Sequence, residues 1–234
     1  MAYTLHSHRS DFLGTNGGTS TALNFGGSAT MVTAVIGYYS GGGEIVAGDC
    51  SCTGASVLTR DAHVTSDNGE GACVIISGAI TNSGNETFTV SKLSSFSSLC
   101  LATWIGSVAT PLDQVNQFGS TGSVSTIQAG SVTPGETNEL VLCGLGSFFS
   151  GTPLSIDGGF TITDQQPGAY SAAMAYLIQT SIAAANPTWS GLSYRSSAAI
   201  ATYKDTPSAT GGMFVVSNLS GLQPSGPFFQ DPLG

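Results

Sequence analysis

The sequence is short of charge. Lysine, arginine, aspartate and glutamate make up 8% of its 234 residues, against about a quarter in ordinary soluble domains, so hydroxyl and amide side chains must carry its solubility. Cations are scarcest: Arg9, Arg60, Lys92, Arg195 and Lys204 are the only five, and the formal net charge is −9. A nucleic-acid backbone would find almost nothing to neutralise it, which argues against a nucleic-acid partner. No apolar run approaches the roughly 18 residues of a membrane-spanning helix, which argues against a membrane partner. The opening MAYTLHSHRSDF has no basic region followed by an apolar stretch, so no Sec-type export is expected. A neutral, hydroxyl-rich chain made in the cytoplasm without such a signal fits export by another route, or release by lysis as part of a virus particle.

Catalytic patterns are also missing. There is no G-x-S-x-G nucleophile turn, no H-E-x-x-H and no phosphate-binding loop. Histidine occurs only at His6, His8 and His63. His6 and His8 fall on one face of a strand, a spacing that suits a metal or a solvated edge, and no third ligand is identifiable. The fourteen acids lie mostly in glycine- and asparagine-bearing turns such as SDNGEG, where local hydrogen bonding explains them. Asp49 and the Asp67, Asn68, Glu70 group offer oxygens for calcium without the spacing of an EF-hand loop. No catalytic residue, cofactor or metal is therefore assigned, and the expectation is a protein that is not an enzyme.

Cysteine is present in an odd number, Cys50, Cys52, Cys73, Cys100 and Cys143, without a disulfide framework. Cys73, Cys100 and Cys143 sit in the apolar runs GACVIISG, SSLCLATW and ELVLCGLG, which predicts reduced, buried thiols. Of the two tryptophans, Trp104 lies in the apolar CLATWI and reads as core. Trp189 is the better surface candidate, and with Tyr194 it would make a platform for a glycan.

What is abundant is glycine, 32 residues, and short apolar segments between turn-formers, the pattern of a sandwich or barrel. Strands are expected near residues 3–8, 19–25, 30–39, 55–59, 62–65, 72–77, 86–92, 98–105, 123–128, 139–147, 159–164, 170–179, 187–190 and 197–204. YSAAMAYLIQTSIAAA (170–185) has helical propensity. Pro187 closes it, Gly168 gives no N-cap, and Met174, Tyr176 and Ile178 alternate with Ala175, Leu177 and Gln179 as on an inner sheet strand, so it reads as strand. No strong internal repeat is evident. The fold class is thus all-β, an antiparallel two-sheet β-sandwich over residues 1–205, with an extended C-terminal arm over 206–234.

Several stretches, PLDQVNQ (111–117), SVTPGETNELVLCGLG (131–146), GFTITDQQ (159–166), AMAYLIQTSIAAANPTWSG (173–191) and AAIATYK (198–204), resemble poorly characterised jelly-roll-type β-sandwich proteins of tailed bacteriophages and environmental bacteria. The resemblance implies a structural, surface-displayed module, leaves the host particle open and supplies no catalytic residues; the missing export signal, the neutral surface, the absent catalytic motifs and the terminal arm add the expectation of a virion subunit, a capsid decoration or tail-associated protein. The arm departs from the resemblance. Its run Met213, Phe214, Val215 and Val216 could add a strand to an open sheet edge. PSGPFFQDPLG sets Phe228 and Phe229 between prolines, with Leu233 beyond. Burying one phenylalanine contributes roughly 1.5–3 kcal/mol, so these residues are the expected contacts to a second copy, making a homo-oligomer, or to other virion proteins.

Overall fold

A computed structural model describes residues 2–92, 96–150 and 153–205. These residues form an all-β, antiparallel sandwich with three single-turn 3-10 helices, Ser40–Gly42, Ala47–Asp49 and Asp67–Gly69. The arm residues Met213, Phe214, Val215, Val216, Phe228, Phe229 and Leu233 lie outside the described residues.

The chain is wound twice in the same way. Its first half runs β1 (Thr4–Gly14), β2 (Gly18–Thr19), β3 (Leu23–Asn24), β4 (Met31–Tyr38), β5 (Cys50–Cys52), β6 (Ala55–Val64), β7 (Ala72–Ile80), β8 (Asn85–Glu86), β9 (Phe88–Val90) and β10 (Ser97–Ile105). Its second runs β11 (Ser107–Gly119), β12 (Thr126–Gln128), β13 (Glu139–Ser150), β14 (Ser155–Ile156), β15 (Thr161–Gln166), β16 (Gly168–Gln179), β17 (Thr188–Ser190) and β18 (Ser196–Asp205). The β2–β9 and β3–β8 pairs continue one another through the hydrogen bond from Ser20 N to Phe88 O. Counting each as one strand gives eight per half. In the second half the inner sheet is β11-β18-β13-β16-β15 and the outer one β12-β17-β14; in the first half a single sheet, β1-β10-β4-β7-β6-β5-β9-β2, turns over at the Cys52–Ala55 pair of β5 with β6 into an inner layer, β1-β10-β4-β7-β6, and an outer one, β5-β9-β2. Both halves therefore read 1-8-3-6-5 inside and 2-7-4 outside, the winding of a jelly roll. Gly106, at φ 111°, alone joins β10 to β11, in a backbone region that an L side chain rarely enters.

The expected two-sheet sandwich is the inner pair of sheets, and each inner sheet carries a covering layer of its own. Three cores result. Between the inner sheets lie Met31, Val35, Ile75, Trp104, Leu142, Met174 and Tyr203. Outside the first inner sheet lie Phe25, Ile36, Val74, Phe88 and Leu99, and outside the second Ile127, Val141, Leu145, Trp189 and Ile200. A central inner strand thus has no solvent face, so β4 is buried at every position, which a continuous apolar run permits. Cys73, Cys100 and Cys143 are fully buried and unpaired. Burial pushes the Cys143 thiol up to about 12 and raises the Cys73 and Cys100 thiols well above the ordinary thiol value.

The halves also face each other as two subunits of a symmetric dimer would. β1 lies against β15 at one seam and β6 against β11 at the other, so the first strand of each half meets the fifth of its partner. Two corresponding segments betray the repeat. SSLCLATW of β10 matches SSAAIATY of β18, placing Trp104 and Tyr203 at equivalent, fully buried positions. Thr103 and Thr202, also equivalent, each bond the first strand of their own half, at Ser7 Oγ (2.7 Å) and Gln114 N (3.0 Å).

Several strand expectations change: β5 and β14 were not expected, and 19–25 divides into β2 and β3. Residues 55–59 and 62–65 form the single strand β6, interrupted by a register shift between Arg60 and Ala62 that makes Asp61 a bulge. β11 was not expected, because PLDQVNQ is mostly polar. It is an edge strand whose outer face meets solvent, where Pro111 is tolerated.

Candidate functional site

The inner sheets converge toward one end. A Cβ on Gly37 of β4 would collide with the carbonyl oxygen of Ser171 on β16, and one on Gly146 of β13 with that of Ala72 on β7. Backbone meets backbone there, and the buried residues are small: Ser97, Ser98, Ser147, Ser171, Ser196 and Ser197. At the opposite end the sheets are held apart by Met31, Trp104, Met174 and Tyr203. Rings that follow the glycines cannot enter the closed end of this wedge, so they gather on its rim.

Six rings form that rim. Tyr170 is the hub, with ring centroids 5.3 Å from Tyr39, 5.4 Å from Phe96 and 5.2 Å from Phe148. Phe148 continues to Phe149 at 5.1 Å and to Tyr194 at 5.7 Å. The outer members remain open: Phe149 is 50% exposed, Tyr194 44% and Phe96 37%. Phe149 holds φ at 50°, a conformation that costs a bulky residue energy and that persists where packing or function demands it. Beside the rings Arg195 is clamped by Asp67 at 2.6 Å and Glu70 at 3.0 Å. The acids weighed as calcium ligands therefore fix this loop through an arginine. This contiguous, half-exposed aromatic patch is the first candidate site.

A second candidate is a polar cleft of about 500 Å³ at the β6–β11 seam, lined by Glu44, Arg60, Asp61, His63, Asn116 and Gln117 among others. Arg60 reaches Glu44 at 3.0 Å and holds its carboxyl below the usual range. His63 Nε2 lies 2.7 Å from the Tyr38 hydroxyl, and burial lowers its pKa. The bulge turns Asp61 inward, where its Oδ2 accepts from Tyr203 at 2.7 Å and its Oδ1 is buried without a partner. Two carboxylates, Glu44 and Asp61, line the cleft, and Asp61 is the one held inward by Tyr203. Across β11 a groove runs along Gln117, Phe118, Thr126, Gln128 and Thr188, with Phe118 52% exposed.

The sequence-derived site residues separate. Trp189 is fully buried, which overturns its reading as a surface platform. It is the middle residue of β17, the central strand of its covering sheet, and its indole nitrogen donates to Cys143 Sγ at 3.2 Å. Tyr194 is exposed, on the aromatic rim instead. His8 pairs with Asp164 at 2.8 Å, latching β1 to β15. Asp49 accepts from Val46 N at 3.0 Å. Among the described residues no three His, Cys, Asp or Glu side chains converge on a metal-sized site. The rim was missed because its members are scattered from residue 39 to 194. The repeated signal that could have found it is GYYS (37–40) against GSFFS (146–150).

The buried acids have a measurable consequence. Desolvation holds Asp61, Glu139 and Asp164 above the usual carboxylate range. A carboxyl whose folded pKa is raised binds its proton more tightly in the folded state. Stability then grows as pH falls through the folded pKa and levels off near the unfolded value of about 4. Calorimetry from neutral pH down to about 4 should show a rising thermal midpoint, and Asp61→Asn combined with Glu139→Gln should flatten the rise. A wild-type midpoint that falls steadily over this window would contradict it.

No protein-family model, curated protein or solved structure matches the chain.

Proposed function

We propose that this protein is a non-enzymatic structural subunit of a virus particle, a capsid decoration or tail-associated component. It would assemble with copies of itself or with other virion proteins through the arm 206–234. The observation that carries this reading is the six-ring rim, an exposed apolar surface built by the convergence of two sheets. Apart from Phe96 and Tyr170, which stack at 29°, its paired rings are tilted or edge-on, Phe149 and Tyr194 at 48° and Phe148 and Phe149 at 87°. Interlocked side chains suit that arrangement better than the flat face of a sugar. Jelly rolls build both capsid and lectin domains, so the winding alone decides nothing. The resemblance to phage-associated proteins supports the particle. Particles purified on a density gradient from the native source should contain the chain in a fixed stoichiometry; recovery only from the particle-free fraction would overturn the proposal.

The groove beside Phe118 favours a second reading, a surface module for neutral glycans. An exposed ring there is flanked by the amide of Gln128 and the hydroxyls of Thr126 and Thr188. Glycan-array binding abolished by Phe118→Ala would support it.

A further inference from the structure

The geometry points to the aromatic rim as the receptor for the segment Pro227–Pro232 of a second copy of this chain, so that copies join head to tail. The inference rests on the proposal that the arm mediates assembly, and names the surface it reaches.

Position argues first. Tyr194 stands just before β18, and β18 carries the chain away from the rim to Asp205, nine residues beyond Ser196, or roughly 30 Å along a strand. The arm therefore leaves from the end opposite the rings. Phe228 lies 23 residues beyond Asp205, which gives a reach of up to roughly 75 Å, ample to meet a copy stacked beyond that end. An exit at one end and a receptor at the other make a heterologous contact, which repeats along a stack or closes into a ring.

Charge argues next. Each copy carries a formal −9, and Asp231 is the only charged residue from 206 onward. Two like-charged bodies repel, and a nearly neutral arm meeting a surface of neutral rings is the contact that this repulsion opposes least. Chemistry argues last. Two adjacent phenylalanines between prolines are stiff and apolar, and aromatic residues dominate the centres of protein interfaces. The strained, half-exposed Phe149 and its neighbour Tyr194 are the open apolar rings of the rim.

Complementation tests this in the full-length chain. The receptor variant Phe149→Ala/Tyr194→Ala keeps its arm, and the arm variant Phe228→Ser/Phe229→Ser keeps its rim. In sedimentation velocity the wild type should form a concentration-dependent series of oligomers, each variant alone should be monomeric, and their equimolar mixture should form a dimer that grows no further. A receptor variant that assembles like the wild type overturns the rim as receptor. The arm reading then stands if the arm variant is monomeric. A wild type that stays monomeric overturns both. A monomeric wild type whose midpoint drops in both variants shows the segment docked on its own rim, and equally overturns the inference. Thermal midpoints near the wild type's verify that the receptor variant is folded. If they are not, Tyr194→Lys, which adds a charge at the exposed edge, takes its place with the same expected loss of assembly.

Discussion

Alanine at Gly37 or at Gly146 should each destabilise the protein by upward of about 3 kcal/mol, beyond the usual range for overpacking a core. In a chain of this size that is a fall in thermal midpoint of roughly 6–12 °C. The reason is the identity of what the methyl group would strike. Gly37 faces the Ser171 carbonyl and the Ala172 Cα, and Gly146 faces the Ala72 carbonyl and the Cys73 amide. Neither neighbour is the free end of a side chain that could rotate away; both belong to ladder-paired strands of the opposite sheet. The sheets would have to separate at the narrow end, which opens the buried serine layer and displaces the rim above it. Gly122→Ala is the control, since nothing lies within 4 Å of its added carbon, and it should leave the midpoint unchanged. If Gly146→Ala melts with the Gly122→Ala protein, the close approach of the sheets is wrong.

These two glycines also show how much of the fold was legible. β4, β10, β13 and β16 are readable as strands because, buried on both faces, they carry long apolar runs. The Ala-rich β16 is the clearest case, its small side chains allowing one sheet to lie close on the other while Met174 fills the wider end. β11 was hidden because its outer face looks like a loop, and the bulge at Asp61 split β6 in two. The double winding is written in SSLCLATW and SSAAIATY, 99 positions apart (196 − 97). Elsewhere the halves keep only what packing requires: a glycine on the third strand, a threonine bonded to the first. Large core residues are free to exchange so long as volume is kept, so Trp104 and Tyr203 fill equivalent places without identity. The rim follows from this doubling, since each half sends rings past its glycine to the same end, Tyr39 from one and Phe148 and Phe149 from the other. The polar seam was beyond sequence reach, because Asp61 and Tyr203 lie 142 residues apart.

Trp189→Ala should cost about 3–5 kcal/mol, the range for removing a large buried ring, and lower the midpoint by roughly 6–20 °C. β12, β14 and β17 are only three, two and three residues long, so their backbone ladder can hold little of the covering sheet in place. Trp189 does most of it by filling the space over Val141, Leu145 and Ile200. Its counterpart in the first half is Phe88, the fully buried residue on β9 at the centre of the other covering layer. Phe88→Ala should therefore destabilise to a similar degree, although its half is also tied through the Cys52–Ala55 pairing of β5 with β6. The same burial separates the two functional readings. An indole enclosed against Cys143 is shielded from solvent and from any sugar, so quenching by iodide should be slight. Glycans added to the protein should leave the tryptophan emission unmoved even if they occupy the Phe118 groove. An emission shift on glycan addition that disappeared in Trp189→Phe would mean that the covering sheet opens, and would return the tryptophan to the binding surface from which its burial removes it.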